Sequence, residues 1–236
     1  MKINLPYMKF FDRSDWKYAF LEIVLIFVGI TLAFLFENWN QERNDRKMEI
    51  LVLKELVYNL ELDSADLEYN INSDHITKQS FIIMQKIISE KLSFDDSLAY
   101  HFGRVGYFTN FIENKSAFEN LKSIGFNFVS NDSIRSQIIK YYDVSVQNLT
   151  DIETNIINTH ENDIVKPFMI KHFNYSAQFE PAYPNEYDVL IADPEFKSIV
   201  ATTNRLFDWK ISLSESCIRS MIALKSNLIA EIKRLE

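Results

Sequence analysis

Glycine occurs only four times in this 236-residue chain, proline five times, histidine four times and cysteine once. Each shortage closes off a class of protein. Tight hairpins and bulged sheets draw on glycine for left-handed backbone, so this scarcity excludes a β-rich architecture and favours long helices. The lone Cys217 forms no internal disulfide. On an amphipathic helix, without a histidine close in sequence, it reads as a small buried residue rather than a nucleophile. Carboxylate-bridged metal sites in helical proteins need Glu-x-x-His pairs. None of His75, His101, His160 or His172 has a glutamate three positions earlier. His160 and Asp163 stand one turn apart, but a single pair lacks the further ligands a metal requires. A Gly-rich phosphate loop and a G-x-S-x-G elbow are both missing. The sequence therefore predicts no cofactor, no metal and no enzymatic activity. A net charge of −8 argues against a nucleic-acid partner.

What is present is a long apolar run, Ala19 to Phe36 (AFLEIVLIFVGITLAFLF), carrying one charge, Glu22. As a helix it measures about 27 Å, close to the ~30 Å hydrocarbon core of a bilayer. Trp16 and Tyr18 flank one end and Trp39 the other, where amphipathic rings favour the headgroup layer. No small-residue cleavage site follows the run, so it reads as a permanent anchor rather than a signal peptide. We therefore expect a short tail at 1–17, a transmembrane helix at 18–37 and a domain at 38–236.

Within the span, Gly29 and Ala33 fall about 20° either side of Glu22 at 100° per residue, and Asn40 falls nearly on it. Small residues four apart let transmembrane backbones approach closely, and polar side chains then bond across the gap. Glu22, Gly29, Ala33 and Asn40 thus form an expected interface with a second copy or with a partner membrane protein. The alternative is that Glu22 snorkels to the headgroups from one turn inside. A ring of Glu22 carboxylates serving an ion or proton path is a sharper variant. Four basic residues precede the span (Lys2, Lys9, Arg13, Lys17) and four follow it closely (Arg43, Arg46, Lys47, Lys54). Charge alone therefore leaves orientation balanced, and a short tail retained inside places the larger domain outside.

The four acidic and four basic residues before Asn38 cancel, so the −8 belongs to 38–236. No proline or glycine intervenes between Ile30 and Leu92. Apolar positions Ile50, Leu53, Val57, Leu60, Leu67 and Ile71 alternate by three and four, as on a bundle or coiled-coil helix. The spacing predicts one helix continuing from the span as a stalk, with its extramembrane part at about 40–90. A short helix is expected at Ser116–Ile124, stopped by Gly125. Asn131-Asp132-Ser133 caps a second long helix, about 132–166, with a stripe through Ile134, Ile138, Tyr141, Leu149, Ile152 and Ile156, and Pro167 closes it. Residues 168–192 hold Pro181, Pro184 and the aromatics Phe168, Phe173, Tyr175, Phe179, Tyr183 and Tyr187. This irregular segment reads either as a recognition loop or as a lid over the end of the bundle. Asp193-Pro194-Glu195 then starts a third long helix, about 194–235. The fold class is all-α: a single transmembrane helix continuing into a long stalk, plus an extramembrane antiparallel helical bundle. Asn114, Asn131, Asn148 and Asn174 open glycosylation-acceptor triplets, which an Asn-rich chain produces by chance.

One pattern carries a resemblance. Glu22-Ile23, Leu25, Gly29-Ile30 and Ala33, followed by Asn38-Trp39-Asn40 and Arg43, resemble the N-terminal signature of an uncharacterised bacterial family of small single-span membrane proteins. Phe118 to Gly125 and Asn131 to Tyr142 are similar to that family's second recurring segment. Glu37 stands where the pattern has another asparagine and puts a charge at the membrane edge. The resemblance implies a bacterial cytoplasmic membrane and no particular activity. The reading that follows is a membrane-anchored interaction or scaffold module whose partners are the lipid bilayer and a second copy or partner membrane protein. The alternatives are a sensory input module binding a ligand or partner between helices, and an oligomeric ion or proton path through Glu22.

Overall fold

The computed structural model describes residues 13–174 and 180–236, with side chains from Trp16 onward except Ala19. Residues 1–12 of the expected tail lie outside the described residues, as do Tyr175, Ser176 and Phe179. The described chain is all-α apart from one pair of two-residue strands. It divides into two compact units, Met1–Met48 and Glu49–Glu236.

Helix α1 is Arg13–Glu90. In the first unit it is the described structure, and the described side chains from Trp16 to Met48 are exposed. No proline or glycine interrupts it after Ile30, and Lys91 ends it with a φ of 51°. The Leu92 amide then returns 3.2 Å to the Ile87 carbonyl, a left-handed closure that satisfies one of the last carbonyls.

In the second unit α2 (Leu98–Phe102) and α3 (Ser116–Ile124) flank an extended strap, 107–115. Gly125, at φ 100°, stops α3 where the sequence predicts, since an L side chain is strained at that angle. Asn131 then accepts from the Ser133 and Ile134 amides and opens α4, a continuous helical stretch over 132–172. A two-residue hairpin follows, β1 (Phe173–Asn174) against β2 (Tyr183–Pro184), with Phe173 opposite Pro184. Helix α5 (Tyr187–Ala192) leads to α6 (Pro194–Leu235), whose first turn is capped by Asp193 accepting from the Glu195 amide.

Helix α4 departs from the sequence expectation in two ways, and both have one cause. It contains three π turns, Tyr141–Val146, Glu153–Ile157 and Glu161–Val165. Its buried positions advance by nearly four: Ile134, Ile138, Tyr142, Val146, Leu149, Glu153, Ile157, Glu161, Val165, Met169. A regular α-helix would overshoot that face by about 260° along this length. Three π turns, each with one surplus residue worth about 100°, absorb about 300°. Hence Ile157 is buried and Ile156 exposed, although a 3.6-residue period selects Ile156. The helix also runs past Pro167 to His172. The third π turn opens the ladder where the proline has no N–H to contribute.

Contacts between α1 and α6 run in reverse order along the two helices. Lys54 meets Glu236 at 2.7 Å, Glu61 meets Lys225 at 3.0 Å, Asp74 meets Lys210 at 2.9 Å, and Gln85 meets Asn204 at 3.3 Å. Both helices bury positions that alternate by three and four. On α1 these are Leu53, Leu56, Leu60, Asp63, Leu67, Asn70, Asp74, Thr77, Phe81 and Met84. On α6 they are Val200, Thr203, Phe207, Lys210, Ser214, Cys217, Met221, Leu224, Leu228, Glu231 and Leu235. The periodicity read from the sequence is right, but its centre lies between the predicted positions, because Asp63, Asn70 and Asp74 take slots on the buried line.

The buried side chains fall into two apolar cores. One gathers Leu53 to Leu67, Phe118, Ile134 to Leu149 and Cys217 to Leu235. The other gathers Phe81, Met84, Phe102, Val165 to Phe173 and Phe196 to Ile211. Between them in sequence order on all three long helices sits a polar layer: Ser73, Asp74 and Thr77 on α1, Glu153 and His160 on α4, Thr203, Lys210 and Ser214 on α6.

Candidate functional site

The centre of that layer is Lys210, whose side chain is 0% exposed. A lysine is almost never buried without partners, because stripping water from its ammonium costs several kcal/mol. Here the partners come from four segments. Nζ lies 2.9 Å from Asp74 Oδ2 on α1 and 3.6 Å from Glu153 Oε1 on α4. It donates 2.5 Å to the Thr109 carbonyl and 2.8 Å to Thr109 Oγ1 in the strap. Thr109 Oγ1 in turn donates to Asp74 Oδ1 at 3.0 Å, and the Phe111 amide donates to Glu153 Oε2 at 2.9 Å. An ammonium has three donors, and Asp74 and Thr109 use them. None is left for a substrate. Burial pushes both the Asp74 and the Glu153 carboxyls up, with Lys210 partly offsetting the shift. Thr77 Oγ1 and Ser214 Oγ, one turn further along α1 and α6, have no hydrogen-bond partner among the described residues.

The same α1 face holds the rest of the strap. Asn59 donates to Ser116 Oγ at 3.0 Å, Asp63 Oδ1 accepts from the Asn114 amide and side chain at 2.8 Å each, and Asp66 accepts from the Ile112 amide at 2.9 Å. Asn70 donates to the Asn110 carbonyl at 3.3 Å. Positions 59, 63, 66, 70 and 74 form one stripe, so α1 supplies by side chain the partners that a neighbouring strand would supply by backbone. Asp63 carries the cost of this arrangement. Burial pushes its carboxyl up to about 6 despite the Asn114 bonds. Its Oδ2 has no hydrogen-bond partner among the described residues.

The residues singled out from sequence are distributed differently. Glu22, Gly29, Ala33 and Asn40 lie on α1, each exposed, and a Cβ placed on Gly29 would meet nothing within 4 Å. Trp16, Tyr18 and Trp39 are exposed, with the Arg43 guanidinium 5.9 Å from the Trp39 ring. His160 is buried and shares a 2.8 Å hydrogen bond with Thr203 Oγ1, while Asp163 is exposed, so the two do not converge. Among the described residues no group of three His, Cys, Asp or Glu is placed to hold a metal ion. Cys217 is buried against the Tyr141 hydroxyl, and burial pushes its thiol up to about 12, which suppresses the nucleophilic thiolate. The Asn114 and Asn131 side chains are engaged with Asp63 and Glu231.

The aromatic segment closes over the second core. Phe168 stacks on His172 at 4.2 Å and on Phe196 at 5.7 Å, Phe173 packs on Phe102 at 5.5 Å, and the Tyr187 hydroxyl donates 2.6 Å to the Leu92 carbonyl. Of the two readings of these aromatics, Phe168, Phe173 and Tyr187 follow the lid. A shallow groove of about 180 Å³ lies between α4 and α6, lined by Gln137, Lys140, Tyr141, Ser145, Ser220, Ala223 and Leu224. Pockets that enclose a drug-sized ligand start at about 300 Å³, so this groove is small for a sensor's ligand.

Sequence reasoning missed Lys210, Asp74, Glu153 and Thr109. The signal was there for two of them. Lys210 and Asp74 each interrupt an apolar line that alternates by three and four, and they carry opposite charge. Comparison with protein-family models, with curated proteins and with solved structures gives no match to this chain.

Proposed function

We propose that the protein is a non-enzymatic, membrane-anchored interaction or scaffold module of a bacterial cytoplasmic membrane. In this reading residues 18–37 span the bilayer, and 38–236 form an antiparallel helical bundle outside the cytoplasm. The observation that carries it is the apolar stretch of α1, long and apolar enough to cross a membrane and with none of its window buried within the protein. From Phe20 to Phe36, 13 large apolar side chains are exposed. At about 1.5–3 kcal/mol each, leaving them in water forgoes about 20–40 kcal/mol. That exceeds the whole stability of an ordinary domain, about 5–15 kcal/mol. A bilayer removes the penalty.

Assembly through Glu22, Gly29, Ala33 and Asn40 is the second part of the reading. The open space at Gly29 supports it, since a partner backbone can approach there. The buried groups of the second unit support a non-catalytic role, because Lys210 and Thr109 are consumed by one another and by Asp74. Carbonate-washed membranes should retain the intact chain. Gly29→Leu should weaken crosslinking of the full chain in detergent by tenfold or more. Recovery in the washed soluble fraction sinks the anchor, and unchanged crosslinking sinks the interface. The ion-path alternative predicts instead that Glu22→Gln abolishes conductance in vesicles while leaving assembly intact.

A further inference from the structure

Helix α1 carries a second line of residues, on the side away from the cores. Leu51, Tyr58, Leu62, Tyr69 and Ile76 are 53%, 60%, 42%, 63% and 41% exposed. At 100° per residue they stay within about 40° of one line along the helix. From Tyr58 the steps alternate by four and three through Leu62, Ala65, Tyr69, Asn72 and Ile76, the spacing of a coiled-coil seam. The Tyr69 hydroxyl is tied to Tyr107, which fixes the ring while leaving its face open. Isolated exposed apolar residues need no explanation, but a continuous line of them does.

We infer that this line is a parallel, in-register interface with a second copy of the chain, formed in the second unit. Three observations select that occupant. In a parallel pair each residue meets its own counterpart, so a charge on the line would oppose itself, and no charged residue stands on it from Tyr58 to Ile76. Asn72 is the one amide there, a group that can donate to and accept from its own copy and so set register. The exposed surface of the five residues is roughly 500 Å² per chain, so a symmetric pair buries about 1,000 Å², the lower bound for a specific interface. Parallel orientation rests on the membrane anchor proposed above, which forces two copies in one bilayer to point the same way.

The test uses adjacent cysteines in the full chain in detergent, with the buried Cys217 left in place. Leu62→Cys and Ile76→Cys should form symmetric disulfides at least tenfold faster than His75→Cys, which is exposed about 100° round the helix from Ile76. Equal rates at 75 and 76, or no crosslink at 62 and 76, overturn the inference. So does an Ile76→Cys adduct only with a different membrane protein. Adding Gly29→Leu separates the two interfaces. An Ile76→Cys crosslink that survives it upholds this seam while removing the transmembrane one. A dimer lost on Gly29→Leu, with no crosslink at 62 or 76 beforehand, does the reverse.

Discussion

Replacing Lys210 by methionine keeps the length of the side chain and removes its charge. Asp74 and Glu153 then remain as two carboxylates in a closed layer, and the Thr109 carbonyl and hydroxyl lose their donor. Removing one member of a buried ion pair costs about 3–5 kcal/mol, because the survivor is left charged and dry. The loss should appear as a lower urea midpoint with little change in slope, followed by helical circular dichroism of the full chain in detergent. It should also depend on pH. Burial already pushes both carboxyls up, and without the ammonium they rise further. The variant therefore recovers stability as pH falls from 8 to 5 and the carboxyls take up protons. The triple variant Lys210→Met, Asp74→Asn, Glu153→Gln removes all three charges while keeping acceptors for Thr109 and the Phe111 amide. It should regain most of the loss. A cost below about 1 kcal/mol for Lys210→Met refutes the reasoning, as does a triple variant no better than the single one.

Asp63 binds its proton more tightly folded than unfolded, so its contribution is fully present below the ordinary carboxylate range and is lost as pH rises toward about 6. Asp63→Asn keeps an acceptor for both Asn114 donors and should gain on the wild type, on the order of 2 kcal/mol between pH 4 and 7, after allowance for solvent screening. Parallel unfolding curves for the two chains across that range would contradict it. A Cβ on Gly103 would stand 2.1 Å from the Glu180 carbonyl oxygen, in the segment whose Ala182 amide donates 2.9 Å to Ala99. Gly103→Ala should cost about 1–3 kcal/mol. Amide exchange at Ala182 should rise first, and an unaltered exchange rate there would count against the contact.

Helix starts and stops were readable because they rest on local chemistry. Asn131 and Asp193 cap the helices their residue types announce, and Gly125 ends α3 at an angle few other residues tolerate. The apolar span was readable for the same reason. The polar layer was not, because its logic is non-local: Asp74 and Lys210 are 136 positions apart, and each looks like a solvated charge until the other is placed beside it. Glu153 was hidden further by the π turns, which shift the register that a 3.6-residue period assumes. The strap was invisible for a related reason. Its partners are side chains of a helix, and nothing in 107–115 alone announces that Asp63, Asp66 and Asn70 will receive its backbone.

The surplus residues of α4 also bear on which changes of length the helix can absorb. Deleting one residue from the third π turn would restore a regular α-helix there while swinging everything after it by about 100°. Val165 and Phe168 would leave the second core, although no bond in the helix had been broken. Trimming one residue from each of the three turns together would return the face almost to where it began. Tolerated shortening of this helix should therefore come in threes, and single deletions should be the damaging ones.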